Sequence, residues 1–224
     1  MNAKLSCISF FLLIIMLGCD SSGNEGTIIS DEKCQSFKLN ISPLTLATTF
    51  ACGSIGEDTI KIMSDLNSFW GSSVKACSCL LDAMSGGCLN NAFVLNSDIG
   101  YIYFDAGFQN EMDLVVGNKS ASDWLMGHEF GHNIQINMSL ITFGKQKELQ
   151  ADCLSGYFFG YRECQGEIKE NDIVAAMQGA CSAGDSFISG WWDNTHGTCQ
   201  ERVSATMQGL DGYRLGFLPS EACP

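Results

Sequence analysis

HEFGHNIQ, residues 128–135, sets two histidines four positions apart with a glutamate directly after the first. The surrounding run SASDWLMGHEFGHNIQINM, 120–138, predicts a helix, with Ser120 and Asp123 in a capping pattern. On a helix, residues four apart differ by about 40° in angle and about 6 Å in height, so His128 and His132 can hold one ion from one face. Glu129 lies roughly 60° round from His132, which places its carboxylate beside that ion without making it a ligand. This is the mechanical logic of the H-E-x-x-H spacing of zinc hydrolases. Standing alone, the same spelling also occurs on ordinary helices with a wet polar face.

A catalytic zinc takes three protein ligands and keeps a fourth position open. In the metzincin spacing the third histidine would fall at position 138, which is Met138, and the glycine position holds Gln135, so that pattern is absent. The better third ligand lies in ELQAD, 148–152, on a second predicted helix, KQKELQADCLSGYFFGY, 145–161. Glu148 follows His132 by sixteen positions, and Asp152 shares its face one turn on. Glu148 is the expected ligand, with His196, the only other histidine, as its rival. Asp152 is then placed to accept the far N–H of a ligand histidine, His128, which fixes the tautomer and raises the basicity of the ring. Ala151, Ser155 and Gly156 are small and would let this helix come close to the first. Gly127 and Gly131 serve the same end on the motif helix, at some cost in helix stability.

Elsewhere, EDTIKIMSDLNSFW, 57–70, has apolar residues near helical spacing with Asp58 as a cap. NAFVLN, 91–96, and YIYFD, 101–105, flank SDIG and predict a hairpin. NDIVAAMQGAC, 171–181, capped by Asn171, and TCQERVSATMQGL, 198–210, with Thr198 and Glu201 in capping-box positions, predict two more helices. The fold class is therefore α+β, mostly helical, with a small sheet whose strands precede the motif helix. Trp191 and Trp192 are read as packing residues, and Arg202 as the partner of a carboxylate such as Asp185.

The chain carries 25 acidic against 12 basic residues, a net charge of −13, which argues against nucleic acid as a partner. Hydrophobic residues make up 46%, enough for a globular core. Lys4 precedes an apolar run, and the 14 residues Leu5 to Gly18 are too few to cross a bilayer comfortably. MLGC, 16–19, resembles a bacterial lipoprotein cleavage box. That resemblance implies a signal peptide at 1–18 and lipidation of Cys19; DSSGNEG, 20–26, then reads as part of a flexible tether over 19–33, and with no internal repeat or proline-rich linker the rest, 34–224, reads as a single domain. The membrane is then met only through a lipid anchor at the cell envelope. Beyond Cys7 and Cys19 ten cysteines remain, an even number that suggests disulfides in an oxidising compartment. Cys77 and Cys79 are too close to bridge each other easily, so each needs a distant partner. Cys153 is read as a small buried residue or half of a disulfide.

HEFGHNIQ followed by ELQADCLSG resembles the bacterial neutral zinc metallopeptidase family, whose pattern is HExGHHxQ and then ELQADCxAG. YIYFD, 101–105, resembles the strand before the motif helix there, AGDSF, 183–187, a later Gly-Asp element, and THGTCQERV, 195–203, the terminal segment, with Arg202 in the arginine position. Asn133 departs from the usual second histidine, and the link between the two motif helices is short. The resemblance implies a zincin-like fold with a glutamate third ligand and one Zn2+ ion on His128, His132 and Glu148. It also implies that a peptide or protein substrate lies antiparallel to an edge strand, for which the 91–105 hairpin is the candidate. Glu129 is then the general base, taking a proton from water and passing it to the leaving nitrogen. His196, just ahead of a helix N-terminus, is the candidate to stabilise the oxyanion. The expected activity is metalloendopeptidase. The alternative is a non-catalytic zinc-binding envelope lipoprotein, and a weaker one an amide hydrolase acting on a cell-wall peptide.

Overall fold

A computed structural model of the chain describes residues 34–37, 52–79, 91–95, 100–137, 143–184 and 195–224. They fall within one unit, Asp31–Pro224. In chain order the elements are β1 (Cys52–Gly53), α1 (Glu57–Trp70), β2 (Lys75–Cys79), β3 (Ala92–Phe93), β4 (Tyr101–Phe104), α2 (Ala106–Val116), α3 (Ser120–Asn137), α4 (Lys145–Cys164), α5 (Glu170–Ser182), α6 (Cys199–Arg214) and α7 (Pro219–Ala222). The signal over 1–18, the tether, the Cys19 lipidation site, Asp185, Trp191 and Trp192 lie outside the described residues.

The described residues are mostly helical with one small mixed sheet, which is an α+β arrangement. Its order is β1-β2-β4-β3. The hairpin expected over 91–105 is present as an antiparallel pair, with Ala92 opposite Phe104 and Phe93 opposite Tyr103. On its other side β4 runs parallel to β2, with Ala76 opposite Ile102. β2 reads KACSC, with no β-branched or aromatic alternation, so nothing in its composition announces a strand. Helix α2 was also not foreseen. Its polar NEMD centre hides the helical period, and its start is set by Asp105, read above as a strand residue, whose side chain accepts from the Gly107 N–H at 2.8 Å.

Helix α3 is the structural axis. It is buried continuously from Ser120 to Gln135, because α1, α2, α4, α5 and the sheet all contact it. A helix enclosed on every side loses the polar face expected of a surface helix, and each of its polar side chains then needs a partner inside the protein. Asn133, in place of the family-like histidine, accepts the Gly100 N–H at 2.8 Å and so ties the start of β4 to α3.

Small residues set the spacing of the three central helices. A Cβ added at Gly131 would lie 3.0 Å from the Ala151 backbone, and one at Gly127 would lie 2.5 Å from Ser155 Oγ, so α3 and α4 meet through Gly127, Gly131, Ala151 and Ser155 as expected. Gly156 is a correction. It points away from α3 and toward α6, where an added Cβ would overlap the Thr206 carbonyl, because one residue's step turns the helix by about 100°.

Three caps differ from expectation. Gly56, not Asp58, precedes α1, and Asp58 is exposed. Ser120 is inside α3, where Asn118 Oδ1 accepts its N–H, and Asp123 is drawn away to Arg162 at 2.9 Å. Asn171 lies inside α5, and Asp172 accepts the Lys169 N–H. The Thr198–Glu201 capping box at the start of α6 stands as read.

Disulfides join Cys34 to Cys164, Cys52 to Cys77, Cys153 to Cys223 and Cys181 to Cys199, and Cys79 is also disulfide-bonded. Cys77 thus takes a distant partner, and Cys153 is half of a disulfide. This many bridges suggests an oxidising, exported environment. Among the described residues no helix is long and apolar enough to cross a membrane. The Cys34–Cys164 bridge holds Phe37 beside an aromatic cluster of Phe69, Trp70 and Tyr157.

Candidate metal centre

Two turns of α3 and two turns of α4 build the site. Glu148 Oε2 lies 3.3 Å from His128 Nε2, and Glu148 Oε1 lies 3.5 Å from His132 Nε2. One ligand atom from each of the three residues falls within 4.8 Å of the others. The edge of a tetrahedron whose bonds are about 2.0–2.1 Å is roughly 3.4 Å, so this spacing suits one small divalent ion. The sequence-predicted ligands are therefore brought together, and Asp152 stands where it was expected, with Oδ1 2.7 Å from His128 Nδ1.

Proton bookkeeping decides what the three can do. Asp152 is fully buried and is gripped by Arg202 through Nε and a terminal nitrogen, both at 2.8 Å. A carboxylate held that way is charged and only accepts, so His128 Nδ1 carries the proton toward it. Arg202 also approaches His128 Nδ1 at 3.2 Å, but it can only donate, and the shorter contact to the carboxylate fixes the tautomer. His132 Nδ1 faces Gln135 Oε1 at 2.8 Å, again an acceptor. In its neutral form each ring therefore presents a bare Nε2 to the Glu148 carboxylate. Three acceptors converge on one point, an arrangement that calls for a cation.

The same acceptors also favour a proton on His128. Burial opposes a charged His128, but the Asp152 carboxylate and the contact with Glu148 outweigh it and push the ring up to about 9. Burial would raise the Glu148 carboxyl, yet the two imidazoles hold it far below the usual carboxylate range. Burial likewise disfavours the Arg202 cation, and Asp152 raises it above the ordinary arginine value. At pH 7 the His128 proton competes with a metal ion for Nε2, and this competition fades only as pH rises through about 9. Zinc affinity is thus expected to climb up to tenfold per pH unit between pH 7 and about 9, with about one proton released per ion at pH 7. Calorimetry in buffers of different ionisation enthalpy measures this, and uptake at pH 7 without proton release contradicts it.

Glu129 is 4% exposed, and its Oε2 has no hydrogen-bond partner among the described residues. A buried carboxylate oxygen left unpaired beside the two motif histidines is costly as structure and suits a group that works on an incoming molecule. His196 is exposed, in the turn just before α6, and is not one of the three clustered ligands. That turn lies against the first turns of α4, since a Cβ at Gly197 would be 3.2 Å from Leu149 Cδ2. Two residues of the site were not assigned these roles from sequence. Arg202 was given a carboxylate partner, with Asp185 as the example; among the described residues that partner is Asp152, 50 positions away. Gln135 stands within the motif at i+3 from His132, the neighbour spacing on a helix, which is the signal that identifies it.

No family model matches the chain, and no solved structure matches it. The chain is 26% identical over 137 residues to the Uncharacterized protein YpfJ of Escherichia coli strain K12, covering 50% of this chain and 48% of that one. The YpfJ protein of Escherichia coli O6:H1 matches with the same identity and coverage. The chain spans about half the length of these curated relatives.

Proposed function

We propose that this protein is a zinc-dependent metalloendopeptidase of the bacterial cell envelope, a zincin-like member of the neutral zinc metallopeptidase family that its motifs resemble. The observation that carries the reading is the convergence of His128 Nε2, His132 Nε2 and Glu148 on one point, with the unpaired Glu129 Oε2 on the adjoining residue. A zinc ion there would supply Lewis acidity, polarising a peptide carbonyl and acidifying a water molecule. Glu129 takes a proton from the attacking water and delivers it to the leaving nitrogen. Asp152 keeps His128 in its ligand tautomer and is itself kept charged by Arg202. β3, at the edge of the sheet among the described residues, offers main-chain groups to an extended peptide. The disulfides fit an exported enzyme, and lipidation of Cys19 would hold it at the envelope.

Purified protein is expected to cleave an unfolded protein substrate, to stop when a chelator is added and to resume with zinc. Absence of cleavage across a broad set of unfolded substrates, with zinc bound, would favour the non-catalytic alternative, though retention of Glu129 speaks against it. His196 is proposed to stabilise the oxyanion as the substrate closes on the site. Its replacement by alanine should lower turnover by roughly ten- to a thousandfold with zinc content unchanged. Intact turnover in that variant removes the role.

A further inference from the structure

The ring of His132 is held differently from that of His128. No carboxylate stands behind it. Gln135 Oε1 lies 2.8 Å from Nδ1, and Gln135 Nε2 donates both to the Lys147 carbonyl at 2.8 Å and to Gln150 Oε1 at 2.9 Å. Gln150 Nε2 then donates to the Cys223 carbonyl at 3.1 Å. Both glutamines are buried, at 2% and 6% exposure. Cys223 is fastened to α4 through its disulfide with Cys153, three residues beyond Gln150.

The two backbone carbonyls fix the sense of every bond in this chain. A carbonyl can only accept, so the amide groups of both glutamines must turn their nitrogens toward Lys147 and Cys223. Gln150 then offers oxygen to Gln135, and Gln135 offers oxygen to His132. That oxygen requires the proton on His132 Nδ1 and leaves Nε2 bare for a ligand role. A flipped Gln135 would set oxygen against the Lys147 carbonyl and demand the wrong tautomer of the ring.

We propose that Gln135 and Gln150 are positioning residues that lock the ligand tautomer of His132, and that the C-terminal segment, bolted on by Cys153–Cys223, is the outer end of this lock. The inference rests on the metal reading given above. It makes Gln135, three positions after His132, and Gln150, two positions after Glu148, part of one device: the Gln of HEFGHNIQ and the Gln of ELQAD have a joint purpose that neither spelling shows alone. It also makes the last turn of the chain a contributor to metal affinity, although no residue of that turn is a ligand.

The test is zinc affinity together with the tautomer of His132 in the metal-free protein, read by long-range nitrogen–proton NMR with the ring neutral. The chain has three histidines, so the spectrum is simple. The wild type should show His132 protonated on Nδ1. Gln135→Leu should raise the share of the Nε2–H form and weaken zinc binding by about 10- to 100-fold. Gln150→Leu should do the same at roughly the lower end of that range. Should Gln150→Leu fail to fold, the Cys153→Ser, Cys223→Ser double variant releases the segment while leaving both glutamines in place, and a shift of tautomer and affinity is expected there too. Unchanged tautomer and affinity in the folded variants overturn the proposal. A wild type with the expected tautomer but no zinc binding would instead sink the metal reading.

Discussion

Replacing Glu129 by glutamine is expected to lower peptide hydrolysis by about 10²- to 10⁴-fold while leaving one zinc ion per chain. The expectation follows from placement. Glu129 is not among the three clustered ligands, so its loss does not open the ion's shell. Its Oε2 has no hydrogen-bond partner among the described residues, so the change breaks no bond there that holds the fold. Glutamine has nearly the same shape, and an amide cannot accept the proton of water. Comparing turnover and zinc content of the purified variant with the wild type measures it. A variant that cuts at the wild-type rate removes Glu129 from the chemistry, and one that loses zinc makes it a ligand instead.

The second large effect concerns Arg202 and Asp152. Both are buried, Asp152 fully, and they meet through two bonds of 2.8 Å. Arg202 further donates to the Ala183 carbonyl at 2.7 Å and lies over the Trp124 ring at 5.1 Å. Arg202→Met leaves the Asp152 charge in the interior with His128 as its remaining partner among the described residues. The expected loss is about 3–5 kcal/mol of stability. In a chain of this length that is a fall in Tm of roughly 6–20 °C, followed by thermal unfolding. Replacing the pair together, Arg202→Met with Asp152→Leu, should recover much of that stability, because an apolar pair of similar volume carries no desolvation cost. Zinc affinity in the double variant should still be about 10- to 100-fold weaker, since His128 has lost the carboxylate behind it. A double variant with restored stability and undiminished zinc affinity would show the pair to be structural alone.

The parts of the site that were legible share a local rule. His128, Glu129 and His132 are related by helix geometry, as are Glu148 and Asp152, and a period of 3.6 residues places each set on one face without knowledge of the rest. Joining the two sets took the choice of Glu148, sixteen positions after His132, as third ligand, which the ELQAD resemblance then supported, and the structure brings them to 3.3–3.5 Å. What local rules cannot supply is a partner far along the chain. Arg202 meets Asp152 across 50 positions, and Cys34 meets Cys164 across 130. Secondary structure divides in the same way. Amphipathic α1 and the capping box of α6 were readable, whereas β2 is a strand because β1 and β4 pair with it, not because of its composition. Ser120 and Asp123 made a plausible cap on paper. In the fold Asp123 is buried against Arg162, and the longer-range ion pair takes precedence.

X-ray absorption at the zinc edge of the reconstituted protein tests the central claim most directly. The account predicts one ion per chain held by two imidazole nitrogens at about 2.0–2.1 Å and a carboxylate oxygen at about 2.0–2.2 Å, with no sulfur neighbour. The imidazole signal should fall by half in His132→Ala. A shell containing sulfur, a shell unchanged by loss of His132, or no stoichiometric ion in the folded, disulfide-bonded protein would contradict it.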